Sequence, residues 1–217
     1  MHILRPPFSM DDEVALEFAA ARGFGLVVAA DAEGPFGSHV PFVVQRRAEG
    51  PVVQFHVTAK NPLAERAASG ARLLVAVAGA DWYVSNDWYV SRDQVSTWLY
   101  EAVHLSGPAH LRDLNENRVH GDDLLAVSES RLPKKPWALA DMEPTKRQAM
   151  LDAIRVVDVH VDRIEGQSKL NQHKSDADHV AVANALARAP GAPARELAVK
   201  MRALRPYLAY DAPEAPS

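Results

Sequence analysis

Between Phe24 and Ala109 the sequence is a close succession of strand-length segments, and this limits the folds open to the chain. Phe24–Ala30, Ser38–Gln45, Pro51–Thr58, Ala71–Ala78, Trp82–Tyr89 and Val95–Ala109 are apolar or alternating, and Gly, Pro and charged residues separate them. In Val52–Val57 the alternation puts Val53, Phe55 and Val57 on one face and Gln54 and His56 on the other. Parallel neighbours need crossovers of about a dozen residues or more. The links here are shorter, so the strands are expected to pair mostly antiparallel, as a barrel or closed sheet. Only Pro62–Gly70, ending on a glycine, reads as a helical link inside this run.

Helical patterns flank the strands. Ser9 is read as an N-cap with Asp12 closing a capping box; Val14, Phe18 and Ala21 then share a face up to a stop at Gly23. Asn115–Arg131 and Pro144–Ala153 are expected helices, followed by one more strand, Ile154–Ile164. Ala177–Ala189 and Ala194–Leu204 read as two closing helices, and Ala212–Ser217 as a tail. Helices gathered at the ends and in one insertion give an α+β class rather than alternating βαβ units. The expected organisation is a main domain over 1–189 and a C-terminal helix and tail over 190–217.

Composition excludes several functions. The chain has no cysteine, so disulfides, thiolate zinc sites, iron–sulfur clusters and Cys nucleophiles are ruled out. Its net charge is −4, with basic residues only locally grouped at Arg46-Arg47, Lys134-Lys135 and Lys146-Arg147, so direct DNA binding is not expected. No apolar run approaches the roughly 20 residues of a spanning helix, and Met1–Met10 has no apolar leader core. A cytoplasmic protein without membrane contact is expected.

The chemistry-bearing candidates are few. Trp82, Tyr83, Trp88, Tyr89, Trp98 and Tyr100 concentrate flat aromatic surface, suited to a core, a subunit interface or a planar ligand. His56, Thr58, Lys60 and Asn61 end a strand just before a helix, where ammonium, hydroxyl and free N–H groups suit an anion; equally, Asn61 caps the helix and Lys60 is solvated. Ser38-His39 is no nucleophile pair, because adjacent strand residues face opposite ways. Asp158, His160 and Asp162 read as a solvated strand face, since a strand spreads them about 13 Å end to end, too far for one ion. Lys169–Lys174 is a basic, amide-rich loop.

In this order the segments resemble the PaiB-like, FMN-binding negative transcriptional regulators of the flavin-reductase-like split-barrel fold. The family's Met-Tyr-x-Pro-x-x-Phe opening resembles Met1 to Phe8, its His-Leu-Pro-Phe resembles His39 to Phe42, and its His-x-Ala-Arg-x-Asn-Pro resembles His56 to Pro62. Gly-Pro-x-Ala-Tyr-Ile-Ser-Pro-x-Trp-Tyr is similar to Gly79–Tyr89, Val-Pro-Thr-Trp-Asn-Tyr-x-x-Val-His to Val95–His104, and Lys-Leu-Ser-Gln-Asn to Lys169–His173. The chain departs from the pattern at Ala59 (Arg in the family), Ser96, Leu99, Asn171 and His173. The resemblance implies a homodimeric split β-barrel binding FMN at the subunit interface. It implies cofactor contacts at His39, Pro41, His56, Thr58, Lys60, Asn61, Thr97, Trp98, Tyr100, Lys169 and Gln172. It implies a regulatory or sensor role and assigns no catalytic residue or metal. The alternatives are a flavin-dependent oxidoreductase, or a divergent member holding another planar ligand such as haem, with His39, His56, His104, His160 and His173 as axial candidates.

Overall fold

The computed structural model describes residues 1 and 5–212, so residues 2–4 of the opening motif and the end of the expected tail lie outside the described residues. The chain divides into two compact units interleaved along the sequence. The first comprises Met1–Asp11, Ala78–Ala102 and Gly166–Ser217; the second comprises Asp12–Val77 and Val103–Glu165.

The second unit is built on antiparallel strands. Helix α1 (Asp12–Arg22) stops at Gly23, whose φ of +60° is left-handed backbone that glycine adopts without penalty. The chain then enters β2 (Phe24–Asp31), β3 (Gly34–Arg47) and β4 (Gly50–Thr58) as a meander. Leu26 pairs with His39 and Val44 with Val53, and the register Phe42↔Phe55 sets two buried rings opposite each other. Helix α2 (Pro62–Ala68) leads into β5 (Arg72–Val84), which pairs with β2. After β6 (Thr97–Leu111) come α3 (Asn117–Glu129), α4 (Pro144–Asp152) and β7 (Ile154–His160). β7 pairs along β4 and again with the end of β6, Ala109↔Val159. Gly107 marks the close approach there: a Cβ on it would lie 1.7 Å from the His160 carbonyl oxygen. Val27, Phe42, Val53, Phe55, Val75, Leu105 and Val157 fill the interior. Each such side chain contributes about 1.5–3 kcal/mol relative to exposure.

In the first unit, β1 (Ser9–Met10) pairs antiparallel with β8 (Arg163–Lys169) at Ser9↔Gln167. Helices α5 (Asp176–Arg188) and α6 (Ala192–Leu204) pack with Val84, Leu99 and Leu170 around Val182, Leu186, Leu197 and Met201. Buried Asp178 accepts from the backbone N–H groups of Val90 (3.0 Å) and Ser91 (2.9 Å) and from the Ser91 hydroxyl (2.8 Å), which ties that loop to α5.

The antiparallel sheet with helical additions matches the expected α+β class. Three local expectations are corrected. Ser9 pairs in a strand and does not cap α1, whose buried residues are Ala15, Leu16 and Ala19 while Val14 is exposed. The segments Ala71–Ala78 and Trp82–Tyr83 are one strand, β5, and Trp88 sits in a 3-10 turn. The expected strand Ile154–Ile164 breaks before Arg163 into β7 and β8. Gln54 is buried along with Val53 and Phe55, so β4 is covered on both faces.

Candidate functional site

Three groups of polar side chains stand out, each contained in one unit. The first, in the second unit, lies where β4 gives way to α2. Asn61 N–H closes the turn on the Thr58 carbonyl at 2.9 Å. The Asn61 carboxamide then caps α2 by accepting from Leu63 N–H (2.9 Å) and donates to Ser38 Oγ (3.0 Å), while Pro62 opens the helix at a position that needs no N–H. Thr58, Ala59 and Lys60 stay exposed. Lys60, Asn61 and Arg155 border an open depression of about 530 Å³. Arg155 is steadied there by donating to the carbonyls of Asp152 (3.0 Å) and Ile154 (2.7 Å). The sequence reading missed this second cation, because β4–β7 pairing brings Val57 opposite Arg155 from far along the chain.

His56 is not part of that surface. Its Nδ1 lies 2.9 Å from His120 Nε2; His120 Nδ1 lies 3.0 Å from Gln54 Oε1, Gln54 Nε2 donates to Asp158 at 2.7 Å, and Arg47 donates to the other Asp158 oxygen at 2.6 Å. Asp158 and His120 are buried, so the expected solvated face is corrected at Asp158, which anchors an internal network, while Asp162 is exposed and binds Arg72. Burial pushes His56 below the ordinary imidazole range and, with the neighbouring His56, pushes His120 down to about 4. Both rings are therefore neutral at physiological pH. Among the described residues, no cluster of three or more His, Cys, Asp or Glu could hold a metal. His39 stacks on Phe24 and Pro41 is exposed; neither borders the Lys60 depression.

The third group belongs to the first unit. A cavity of about 410 Å³ is lined by Arg5, Tyr89, Thr97, Tyr100, Lys169 and Lys174, among others. Lys169 Nζ donates to Thr97 Oγ1 at 2.6 Å, and Lys174 lies 4.9 Å over the Tyr89 ring. Burial, with Arg5 adding repulsion, holds the Lys169 pKa below the ordinary ammonium range; burial first, then Lys174, Arg5 and Lys169, lower His173. Of the expected residues, Thr97, Tyr100 and Lys169 thus meet. Trp98 does not border the cavity and is 52% exposed, in edge contact with Tyr83. Gln172 is turned into its own loop, accepting from Leu170 N–H and donating to the Ser168 carbonyl. Asn171 and Gln167, which sequence reasoning did not assign to a site, border the cavity.

Residues 1–163 match the family model described as "Putative FMN-binding domain". The protease synthase and sporulation protein PAI 2 of Bacillus subtilis is 26% identical over 184 residues, covering 85% of this chain and 88% of that protein. Among solved structures, the FAD and haem binding protein of Mycobacterium smegmatis superposes with a TM-score of 0.55 at 16% identity, covering 77% of this chain and 75% of that one. The flavocytochrome Anf3 of Azotobacter vinelandii superposes with a TM-score of 0.53, also at 16% identity, covering 77% and 72%. At these identities the structural likeness concerns the fold.

Proposed function

Since the chain belongs to the Putative FMN-binding domain family, we propose that it is a homodimeric flavin-binding protein of the split-barrel type, with FMN as its cofactor and a regulatory or sensor role. The observation that carries this reading is the pair of cations, Lys60 and Arg155, bordering one open depression. A phosphate monoester carries about two negative charges at neutral pH, and an ammonium plus a guanidinium offset them with directed N–H donors. Arg155 supplies the planar fork that Ala59 lacks. Bound FMN would supply one- and two-electron redox chemistry; Lys60, Arg155 and Thr58 are proposed to hold its phosphate. The net charge of −4 favours action through the ligand over direct contact with DNA.

Removing one charge-assisted bond costs about 1.5–3 kcal/mol, roughly tenfold to a hundredfold in affinity. Lys60→Ala and Arg155→Ala are each expected to weaken FMN by that factor and to flatten its salt dependence. Ala59→Arg is expected to tighten it. Riboflavin, which lacks the phosphate, should respond to none of the three. Titration of flavin fluorescence with both ligands reads this directly, and FMN affinities equal to wild type in Lys60→Ala and Arg155→Ala would withdraw the phosphate from these residues.

The dimer is supported by the exposed Tyr83–Trp98 edge pair, with ring centroids 6.2 Å apart, and by exposed Val90 and Val95 in the same unit. Grouped apolar side chains of this kind mark contact surfaces. Sedimentation equilibrium at low micromolar concentration should report about twice 23.7 kDa, and Trp98→Glu should shift the population toward monomer. A wild-type protein that sediments at 23.7 kDa would exclude the dimer.

A further inference from the structure

Two segments bring most of the side chains to the cavity of the first unit, 89–97 with Tyr89, Gln94 and Thr97, and 169–174 with Lys169, Asn171 and Lys174. Taking the flavin reading as premise, because Thr97, Tyr100 and Lys169 are residues that the resemblance gives to the cofactor, we propose that Asp178 and Arg205 are positioning residues for this cavity. Neither lines it. From α5 and from the position just past α6 they fix both segments, and with them the places of Thr97 and Lys169. Both lie beyond residue 163, where the family match ends.

The segments need an outside hold. Residues 90–96 and 170–175 form neither helix nor strand, so no repeating backbone bonds fix them. Each also contains a non-glycine residue in left-handed backbone, Asp93 at a φ of +59° and Asn171 at +60°. Such conformations persist where surrounding contacts determine them. Asp178 is 2% exposed, and N–H and O–H groups surround its carboxylate. It accepts from Val90 N–H, Ser91 N–H and the Ser91 hydroxyl at the start of one segment, and from the Ser175 hydroxyl (3.0 Å) just after the other. A buried charge is costly without such donors, so neither end can move off without uncovering it. Arg205 secures the second segment: one guanidinium nitrogen donates to the carbonyls of Gln172 (2.9 Å) and Lys174 (3.0 Å), the other to Asp176 (2.7 Å). The planar fork sets the spacing of all three acceptors. With the backbones held, the cavity-side contacts close: Lys169 Nζ on Thr97 Oγ1 at 2.6 Å, Asn171 Nδ2 on the Tyr89 hydroxyl at 3.3 Å, and Gln167 Nε2 on the Tyr100 hydroxyl.

The test is made on the full chain with Asp178→Ala, Asp178→Asn and Arg205→Ala. Both alanine variants should weaken FMN roughly tenfold or more and alter the visible circular dichroism of the bound flavin at saturation. Asp178→Asn should stay within about threefold of wild type, because its amide oxygen still accepts from both N–H groups and its amide nitrogen can donate to the serine hydroxyls. A purely structural role would lower the urea midpoint and leave the affinity and spectrum of the folded protein at wild type; that result in a folded alanine variant overturns the assignment of its residue. If Asp178→Ala does not fold, Arg205→Ala carries the same test from beyond the last helix. Hydrogen exchange of the flavin-free protein tests the hold without the cofactor. Amides of 90–97 and 170–175 should exchange faster in both alanine variants, and unchanged exchange there overturns the proposal. A wild-type chain that binds no FMN withdraws the flavin reading alone, and the exchange result then decides whether Asp178 and Arg205 position the two segments.

Discussion

Lowering the pH from 7 to 4.5 is expected to remove about 2.5 kcal/mol of folding stability through the His56–His120 pair. The folded His120 takes its proton only near pH 4, whereas an unfolded imidazole takes it near 6.5. Between those values the unfolded chain binds more protons than the folded chain, so stability falls as pH falls. A difference of about 2.5 pKa units at 1.36 kcal/mol each is about 3.4 kcal/mol in full, of which about 2.5 kcal/mol is lost by pH 4.5, above the folded pKa. The bonding pattern explains why the folded pair resists protonation. Gln54 Nε2 must donate to the Asp158 carboxylate, so its Oε1 faces His120 Nδ1 and makes that nitrogen the protonated one. His120 Nε2 is then an acceptor for the His56 Nδ1–H at 2.9 Å. Two fully protonated rings would set N–H against N–H across that contact. Urea denaturation midpoints measured every half pH unit should show the decline in wild type and a shallower slope in His120→Gln. Parallel slopes for the two proteins would mean that the buried pair does not govern the acid limb.

How far the sequence disclosed this arrangement depends on the range of the interaction. The strands β2 to β4 were legible because their alternation and the intervening Gly, Pro and charged residues are local signals. Asn61 was legible as a cap for the same reason: Asn, Pro and the first apolar residue are consecutive. Ser9 misled because its local pattern, Ser followed by Asp and Glu, is a cap pattern, while its partner in the sheet, Gln167, is remote. Asp158 misled more deeply. Alternating Asp, His and Asp in a valine-rich strand is indistinguishable locally from a wet face. Only the pairing of β7 with β4, which sets Gln54 opposite Asp158, makes it an interior group. The candidate site followed the same rule: Lys60 and Lys169 were found through motifs, whereas Arg155, Asn171 and Gln167 acquire their roles from pairing and burial.

The same network sets the other large effect. Asp158→Ala is expected to cost about 3–5 kcal/mol, the range for breaking a buried ion pair by removing one partner. Asp158 is 0% exposed and accepts from Arg47 at 2.6 Å and Gln54 at 2.7 Å, with the Arg112 guanidinium 3.5 Å away. The alanine leaves the Gln54 amide and the Arg47 guanidinium facing a void, and the guanidinium cannot neutralise itself by losing a proton. Removing both charges together should be far milder, because the penalty arises from the orphaned partner more than from the lost attraction. Asp158→Leu combined with Arg47→Met should therefore recover most of the loss. A double-mutant cycle on urea-derived stabilities measures the coupling, and an Asp158→Ala cost below about 1 kcal/mol would show the pair to be solvated in solution. Asp158→Asn separates charge from shape. Asp158 raises the His120 pKa, so its neutralisation should lower that pKa further and extend the acid decline of stability to lower pH, with its onset near the unfolded imidazole pKa unchanged. An unchanged His120 titration in Asp158→Asn, followed by NMR, would disconnect the carboxylate from the imidazole pair and leave the two predictions to stand or fall separately.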